Sequence, residues 1–391
     1  MSEIKVNSIK GVGASAAAIT VNNTDGTCTA NLTNRTNKNL LINGSFLIAQ
    51  RNVSSTSSGH QTVDRFECSF SGTDEAPTQA QADVASGTTP YTLGFRKCFK
   101  ITNGNQTSGA GAADFLGIEY YVEAQDMANS GWNYTSSSSN VTLSFYIKSS
   151  VAQSFKGFVR TRDGTEQRYP FDTGSLSADT WTKITKTISG NSNLQFDNNN
   201  DKGLQIVLAA FWGTDYTDNS VTENAWSAYS ASTRMKDNTS TWYTTNDATL
   251  EVTGFQLEVS DHATDFEHRS FAQELTLCQR YFQRFATGDG ANIGIGFYYT
   301  SSQLITVLNY LVPMRAIPTF SAISGTHYYV IYANGVADTF NSFTLSSGVN
   351  TDLRCEVYNA SEISGSSGSS GVVRCNNAAP NGGQLDLSAE L

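Results

Sequence analysis

Apolar and polar residues alternate with a period of two through much of this chain. Val141-Thr-Leu-Ser-Phe-Tyr-Ile147 is the clearest run; Phe155-Lys-Gly-Phe-Val159, Trp181 to Ile188, Leu204 to Trp212 and Leu250 to Leu257 read as further strands. Such alternation sends successive side chains to opposite faces of a sheet. Clusters of Gly, Asn, Asp and Ser separate the runs, as a sandwich or barrel requires. The stretch from Leu40 to Leu257 is therefore predicted to be all-β.

The period changes once. Phe271, Leu275, Cys278, Phe282 and Phe285 recur at helical spacing behind a Ser270 cap, which predicts one amphipathic helix over 270–285. It either packs on a neighbouring sheet or bundles with copies of itself near a symmetry axis. Strand patterns return after Gly288, with Thr300-Ser-Ser-Gln303 as a hairpin turn and Gly365-Ser-Ser-Gly-Ser-Ser-Gly371 as a mobile loop between the last strands. A second, smaller β domain is predicted over 286–391. Ahead of all this, residues 1–38 carry only short alternating pieces, Ile4 to Ile9 and Ala18 to Val21. Strands that short cannot bury a face alone, so the segment is expected to be disordered or to find partners on other chains.

Composition narrows the classes of function. Of 391 residues, 39% are hydrophobic and only 15% charged, with 25 Lys and Arg against 35 Asp and Glu for a net charge of −10. An acidic chain with a polar, mostly uncharged surface is not built to neutralise phosphates or to hold an anionic membrane. Its longest mainly apolar run, Leu204 to Trp212, is too short to span a bilayer. Ala14 to Thr20 is too short and weakly apolar for a secretory core. Cys28, Cys68, Cys98, Cys278, Cys355 and Cys375 are far apart, which predicts free thiols instead of a zinc site or disulfide framework.

Candidate chemistry is sparse. His262-Ala-Thr-Asp-Phe-Glu-His268 matches no metal-ligand spacing, and Asp197 to Gly203 departs from a calcium loop at Lys202 and Leu208, which favours a hairpin turn. Asp163 with Glu166, or Asp215 with Asp218, could form the carboxylate pair of a glycosidase, although loop acids are more commonly solvated. The aromatic residues say more. Trp212, Trp226, Tyr229, Trp242 and Tyr243 gather in a loop-rich stretch, where they stack on a sugar face, cap the sandwich end or fill a subunit interface.

Asn39-Leu-Leu-Ile-Asn-Gly-Ser-Phe46, then Ile48-Ala-Gln-Arg51 and Thr62-Val-Asp-Arg-Phe66, resembles the opening of a domain common in bacteriophage tail fibres and other phage appendages. Thr253-Gly-Phe-Gln-Leu-Glu258, Ala263-Thr-Asp-Phe-Glu-His-Arg269 and Glu274 to Phe282 resemble its close. The family usually has Pro where this chain has Asp265 and Ser270, both in the connector. The resemblance implies a carbohydrate-binding-module-like jelly roll over 39–269 and a connecting helix over 270–285, with a distal β domain over 286–391. Residues 1–38 would be an extended trimerising segment that docks to other phage tail or virion proteins. It further implies a homotrimeric virion structural protein, assembled in the host cytoplasm, that is not an enzyme and attaches to a host-surface glycan, with no nucleic acid and no membrane insertion. A structural calcium at Asn43 and Glu258 is implied by the same family. The alternatives are a tailspike-like enzyme that degrades polysaccharide, and a purely structural collar, baseplate or capsid decoration protein.

Overall fold

A computed structural model describes residues 8–10, 19–21, 24, 28–30, 37–376 and 383–391. The first domain is a jelly-roll sandwich with ten principal strands: β1 (Phe66–Ser71), β2 (Thr78–Asp83), β3 (Lys97–Thr102), β4 (Phe115–Glu123), β5 (Asn140–Ser149), β6 (Lys156–Thr161), β7 (Gln167–Asp172), β8 (Thr182–Ser189), β9 (Lys202–Trp212) and β10 (Thr249–Glu258). One sheet runs β7-β6-β9-β4-β1 and the other β8-β5-β10-β3-β2, each completed to six strands by a two-residue edge strand, Ser227–Ala228 and Ser54–Ser55 respectively. Both are antiparallel. The alternation predicted in β5 holds: Val141, Leu143, Phe145 and Ile147 enter the shared core. β9 is buried along most of its length because it is central and covered on both sides. Leu204, Ile206 and Leu208 face the main core, while Val207, Ala209 and Trp212 pack beneath Met235 of the loop that follows. The segment 197–201 links strands of different sheets, so the predicted hairpin turn there is instead a crossover.

The motifs at the two ends of this domain pack on each other. Asn39 Oδ1 accepts from the N–H groups of Leu41 and Leu257, both at 3.0 Å, and its amide donates to the Phe255 carbonyl. A Cβ at Gly44 would lie 2.0 Å from the Phe255 oxygen, so only glycine admits this approach. Glu267 accepts from Asn39 N–H, and Arg269 donates to the carbonyls of Asn39 and Leu41.

The helix, α1 (Phe271–Gln279), is shorter than predicted. Ser270 and Gln273 form a capping box, but Phe282 begins a strand and Phe271 is exposed. Its buried positions are Glu274, bonded to the Asn43 N–H, and Cys278. The second domain contains β11 (Phe282–Thr287), β12 (Asn292–Thr300), β13 (Gln303–Asn309), β14 (Thr319–Ala322), β15 (Tyr329–Ala333), β16 (Val336–Phe340), β17 (Arg354–Asn359), β18 (Ser370–Cys375) and β19 (Gln384–Ser388). A three-stranded sheet β11-β19-β14 packs with a seven-stranded sheet β16-β15-β18-β12-β13-β17 edged by Thr344–Leu345. The β12–β13 hairpin turns where predicted, and the serine-glycine loop after β17 is hydrogen-bonded to it through Gly365, Gly368 and Ser369.

Three strands of two or three residues, Ser8–Ile9, Ile19–Val21 and Cys28–Ala30, form a meander within the leading segment. These strands pair with one another; the docking and trimerisation expected of residues 1–38 fall on a segment of which only 8–10, 19–21, 24, 28–30, 37 and 38 are among the described residues. Cys68, Cys98, Cys278, Cys355 and Cys375 are free and buried. Among the described residues, no helix is long and apolar enough to cross a membrane.

A buried ionic network joins the two β domains. Arg65 bonds Glu390, lies 3.4 Å above the Tyr281 ring, and donates to the Tyr121 carbonyl at 2.7 Å. Arg51 reaches Glu390 at 3.3 Å and Asp64 at 3.8 Å. Burial raises the Glu390 carboxyl, but the Arg65 and Arg51 guanidiniums outweigh it, joined by His60 once protonated, and hold it down at about 2. The carboxylate therefore stabilises the fold fully above the unfolded value near 4.5, and this contribution is lost as pH falls through about 2. Glu390→Gln is expected to cost about 3–5 kcal/mol at neutral pH, because it strands a buried arginine. It should also flatten the fall in stability between those pH values, as measured by denaturant unfolding at a series of pH values.

Candidate functional site

The outer face of the β8-β5-β10-β3-β2 sheet carries the site. On β5 the residues alternating with the core set are Thr142, Ser144, Tyr146 and Lys148. β8 aligns Lys183 with Tyr146 and Thr185 with Ser144. On β10 a bulge between Thr253 and Gln256, with Gly254 at φ +69°, turns the strand past the Phe95 ring; a Cβ at Gly254 would stand 2.8 Å from that ring.

The connector 259–269 returns across this face and is fastened to it. Glu258 accepts from the Thr264 N–H at 2.8 Å and its hydroxyl at 2.6 Å. Gln256 donates to the Asp265 carbonyl and accepts from the Glu267 N–H. Hydrogen bonds thus fix the path at Asp265, and the capping box fixes it at Ser270. Phe266 and His268 then pack against Phe95, with centroids 4.9 and 5.0 Å away, and Tyr146 meets Phe95 at 5.9 Å. His268 Nε2 lies 2.9 Å from the Leu93 carbonyl, which assigns its proton to that nitrogen.

Between connector and sheet lies a cavity of about 310 Å³, lined among others by Tyr146, Phe266, Phe95, Ser144, Thr264, Asp265 and Lys183. That volume falls at the small end of ligand sites. Burial, and then the charge of Asp265, raises the Tyr146 phenol, so it stays a neutral donor and acceptor at physiological pH. Trp181 extends the same aromatic cluster, and the Lys148 amine lies 5.3 Å above its ring. Apolar rings beside hydroxyls and one charge of each sign form a surface on which a sugar ring can stack while its hydroxyls are bonded.

The aromatic residues singled out in the sequence do not form one platform. Trp242 and Tyr243 are completely buried in the sandwich core, the former donating to the Thr249 carbonyl and the latter stacked on Phe211 at 4.5 Å. Trp212 is buried under Met235 on the other sheet. Such rings offer no face to a sugar: Trp242 and Tyr243 fill the sandwich core, and Trp212 fills the separate cluster beneath Met235. Trp226 is half-buried against Tyr169 and donates to the Ser189 carbonyl; Tyr229, also half-buried, has the Arg160 guanidinium 3.3 Å over its ring. The sequence drew attention to 212–243 and treated 259–269 as a linker, although Phe266 and His268 were visible there.

The Asn43 and Glu258 pair does not fit a cation. Asn43 Oδ1 accepts from Ile48 N–H at 2.9 Å and its amide donates to the carbonyls of Ile48 and Asp64, while both oxygens of Glu258 are occupied by donors. Among the described residues no three His, Cys, Asp or Glu side chains are grouped to hold a metal. His262 pairs with Asp261 at 2.6 Å, away from the packing of His268. Of the acid pairs, Glu166 is clamped by Arg160 and Arg162, Asp163 accepts from the Asp197 N–H, and Asp218 from the Ser220 N–H. The sequence missed Glu67 and Glu119, which face each other across β1 and β4. Burial and the Glu119 charge push Glu67 up to about 7, while Glu119 accepts from Ser69, Tyr121 and Gln205.

No family model matches the chain, and no curated protein sequence matches it. Among solved structures it is similar to the enzymatically active domain of tailspike protein 4 of bacteriophage CBA120, at 10% identity and a TM-score of 0.31 over 57% of this chain and 21% of that one. It is also similar to a CBM4 structure (13% identity, TM-score 0.28, covering 56% of this chain and 98% of the other). The N-terminal cellulose-binding domain of Cellulomonas fimi β-1,4-glucanase C gives 12% identity and a TM-score of 0.27, over 55% of this chain and 98% of that domain. The chain thus spans about a fifth of the tailspike structure and nearly all of the two binding domains.

Gly254→Ala would force a side chain into a positive-φ position and against Phe95, so a loss of about 1–3 kcal/mol is expected in denaturant unfolding. Gly87→Ala, also at positive φ but with open space around it, should cost less and serves as the reference.

Proposed function

We propose that this protein is a homotrimeric virion component of the phage tail-fibre class that attaches to a host-surface glycan and is not an enzyme. The observation that carries the glycan-binding part is the cavity framed by Tyr146, Phe266 and Phe95 on a rigid sheet, with Ser144, Thr264, Asp265 and Lys183 around it. The opening and closing motifs shared with phage-appendage domains support the wider assignment, and their close mutual packing explains why both ends of the pattern occur together. In this reading the apolar face of a sugar lies against Tyr146 and Phe266, and its hydroxyls bond the polar groups at the rim. One shallow site of this kind gives an affinity near the millimolar range, about −4 kcal/mol, and three linked copies raise it through effective concentration. Residues 1–38 would dock the assembly to other virion proteins.

In support of attachment without hydrolysis, Glu119 is engaged by three donors within the sheet, Ser69, Tyr121 and Gln205.

Tyr146→Ala is expected to weaken binding to host cells or a glycan array at least tenfold, while Trp226→Phe leaves it within twofold. Equal binding by wild type and Tyr146→Ala would remove the pocket from the attachment site. Incubation with host polysaccharide should release no reducing ends; release that disappears in Glu119→Gln would establish the enzymatic alternative instead.

A further inference from the structure

The outer face of the seven-stranded sheet in the second domain is apolar and open to water. Beyond the bulge between Asn292 and Gly294, which turns Ile293 into the core, β12 alternates so that Gly296 and Tyr298 face inward while Ile295, Phe297 and Tyr299 project outward, 64%, 39% and 61% exposed. Strand register extends this face sideways. Phe297 aligns with Ile305 on β13, which aligns with Tyr358 on β17; Ile295 aligns with Val372 on β18, which aligns with Tyr332 on β15. Tyr332 is 47% exposed, and Val307 on β13 is 43% exposed.

The five exposed side chains leave roughly 550 Å² of mainly apolar surface in water, at the upper end of what a monomer tolerates as one patch. A stable association buries about 800 Å² on each partner, so this face supplies most of one subunit's share. Charge lies at its margins, on Arg354 and Glu356 of β17 and Arg374 of β18, the last 5.5 Å from the Tyr332 ring. A sugar laid across the centre would find few partners for its hydroxyls. An anionic polymer would find two arginines on a chain of net charge −10. The same face on other copies of the chain fits, because three apolar sheet faces turned toward one axis cover one another's side chains as the facing sheets of a sandwich do. The edge strands, Val336–Phe340 and Thr344–Leu345, are short, which favours stacking of faces over pairing of edges.

We propose that this face, centred on Ile295, Phe297 and Val307, is the surface through which copies of the chain associate, each burying it against its neighbours around a common axis. The inference rests on the homotrimeric reading above and gives that assembly its contact. The test is the mass of the full chain by sedimentation, for wild type and for Ile295→Glu combined with Val307→Glu, with Val53→Glu, an exposed position in the first domain, as control. Circular dichroism and thermal melting confirm that each variant folds. The expected result is a trimer for wild type and the control, and a threefold lower mass for the doubly charged variant. A folded double variant that stays trimeric overturns this surface and leaves the homotrimer standing. A wild type that sediments as a monomer at micromolar concentration overturns both. Glycan binding per subunit should persist in the dissociated variant, since Tyr146 lies in the other domain.

Discussion

The pairing of Arg65 with Glu390 ties together parts of the chain separated by 325 positions and fixes one β domain on the other. Both side chains are withdrawn from water, Arg65 with only 1% of its side chain exposed, so each depends on the other for compensation. The stacking of Arg65 on Tyr281 and the reach of Arg51 to Glu390 bring both sides of the junction into the same network. Glu123 adds a second tie, accepting both Arg280 contacts at 2.9 Å together with the Tyr281 hydroxyl. Arg315 closes the joint by donating to the Asn200 and Ala389 carbonyls. Charges held this way contribute less net stability than an apolar contact of equal size, but they accept one geometry and penalise others.

A fixed junction matters to a candidate site built on one sheet. The cavity keeps its shape because its floor is a six-stranded sheet and its roof is a connector bonded at Glu258, Gln256 and Glu267. Little need be ordered when a ligand arrives, which leaves more of a weak interaction available as affinity. The same connector leads through Ser270 into α1, whose Glu274 returns to Asn43, so the site and the link to the second domain share one stretch of chain.

The strands of the first domain were legible because a half-buried sheet imposes period two, and β5, β8 and β10 fall within one or two residues of their predicted runs. The helix was overextended because Phe282 and Phe285 happen to continue the helical spacing, while the strand pairing of β11 with β19 decides their conformation. The aromatic candidates scattered for a related reason. Trp242 and Tyr243 are conspicuous in the sequence, but a large ring is as useful to a core as to a sugar, and only burial separates the two uses.

The sequence by itself determined the all-β class and the acidic, sparsely charged composition, since each follows from local periodicity or from residue counts. The tertiary structure alone decided which aromatic residues are buried, that Phe95, Tyr146 and Phe266 meet over one face, and that Glu67 stands opposite Glu119. These depend on strand order and register, which bring together residues far apart in the chain. A pattern of alternating side chains specifies the two faces of each strand but not which strands become neighbours.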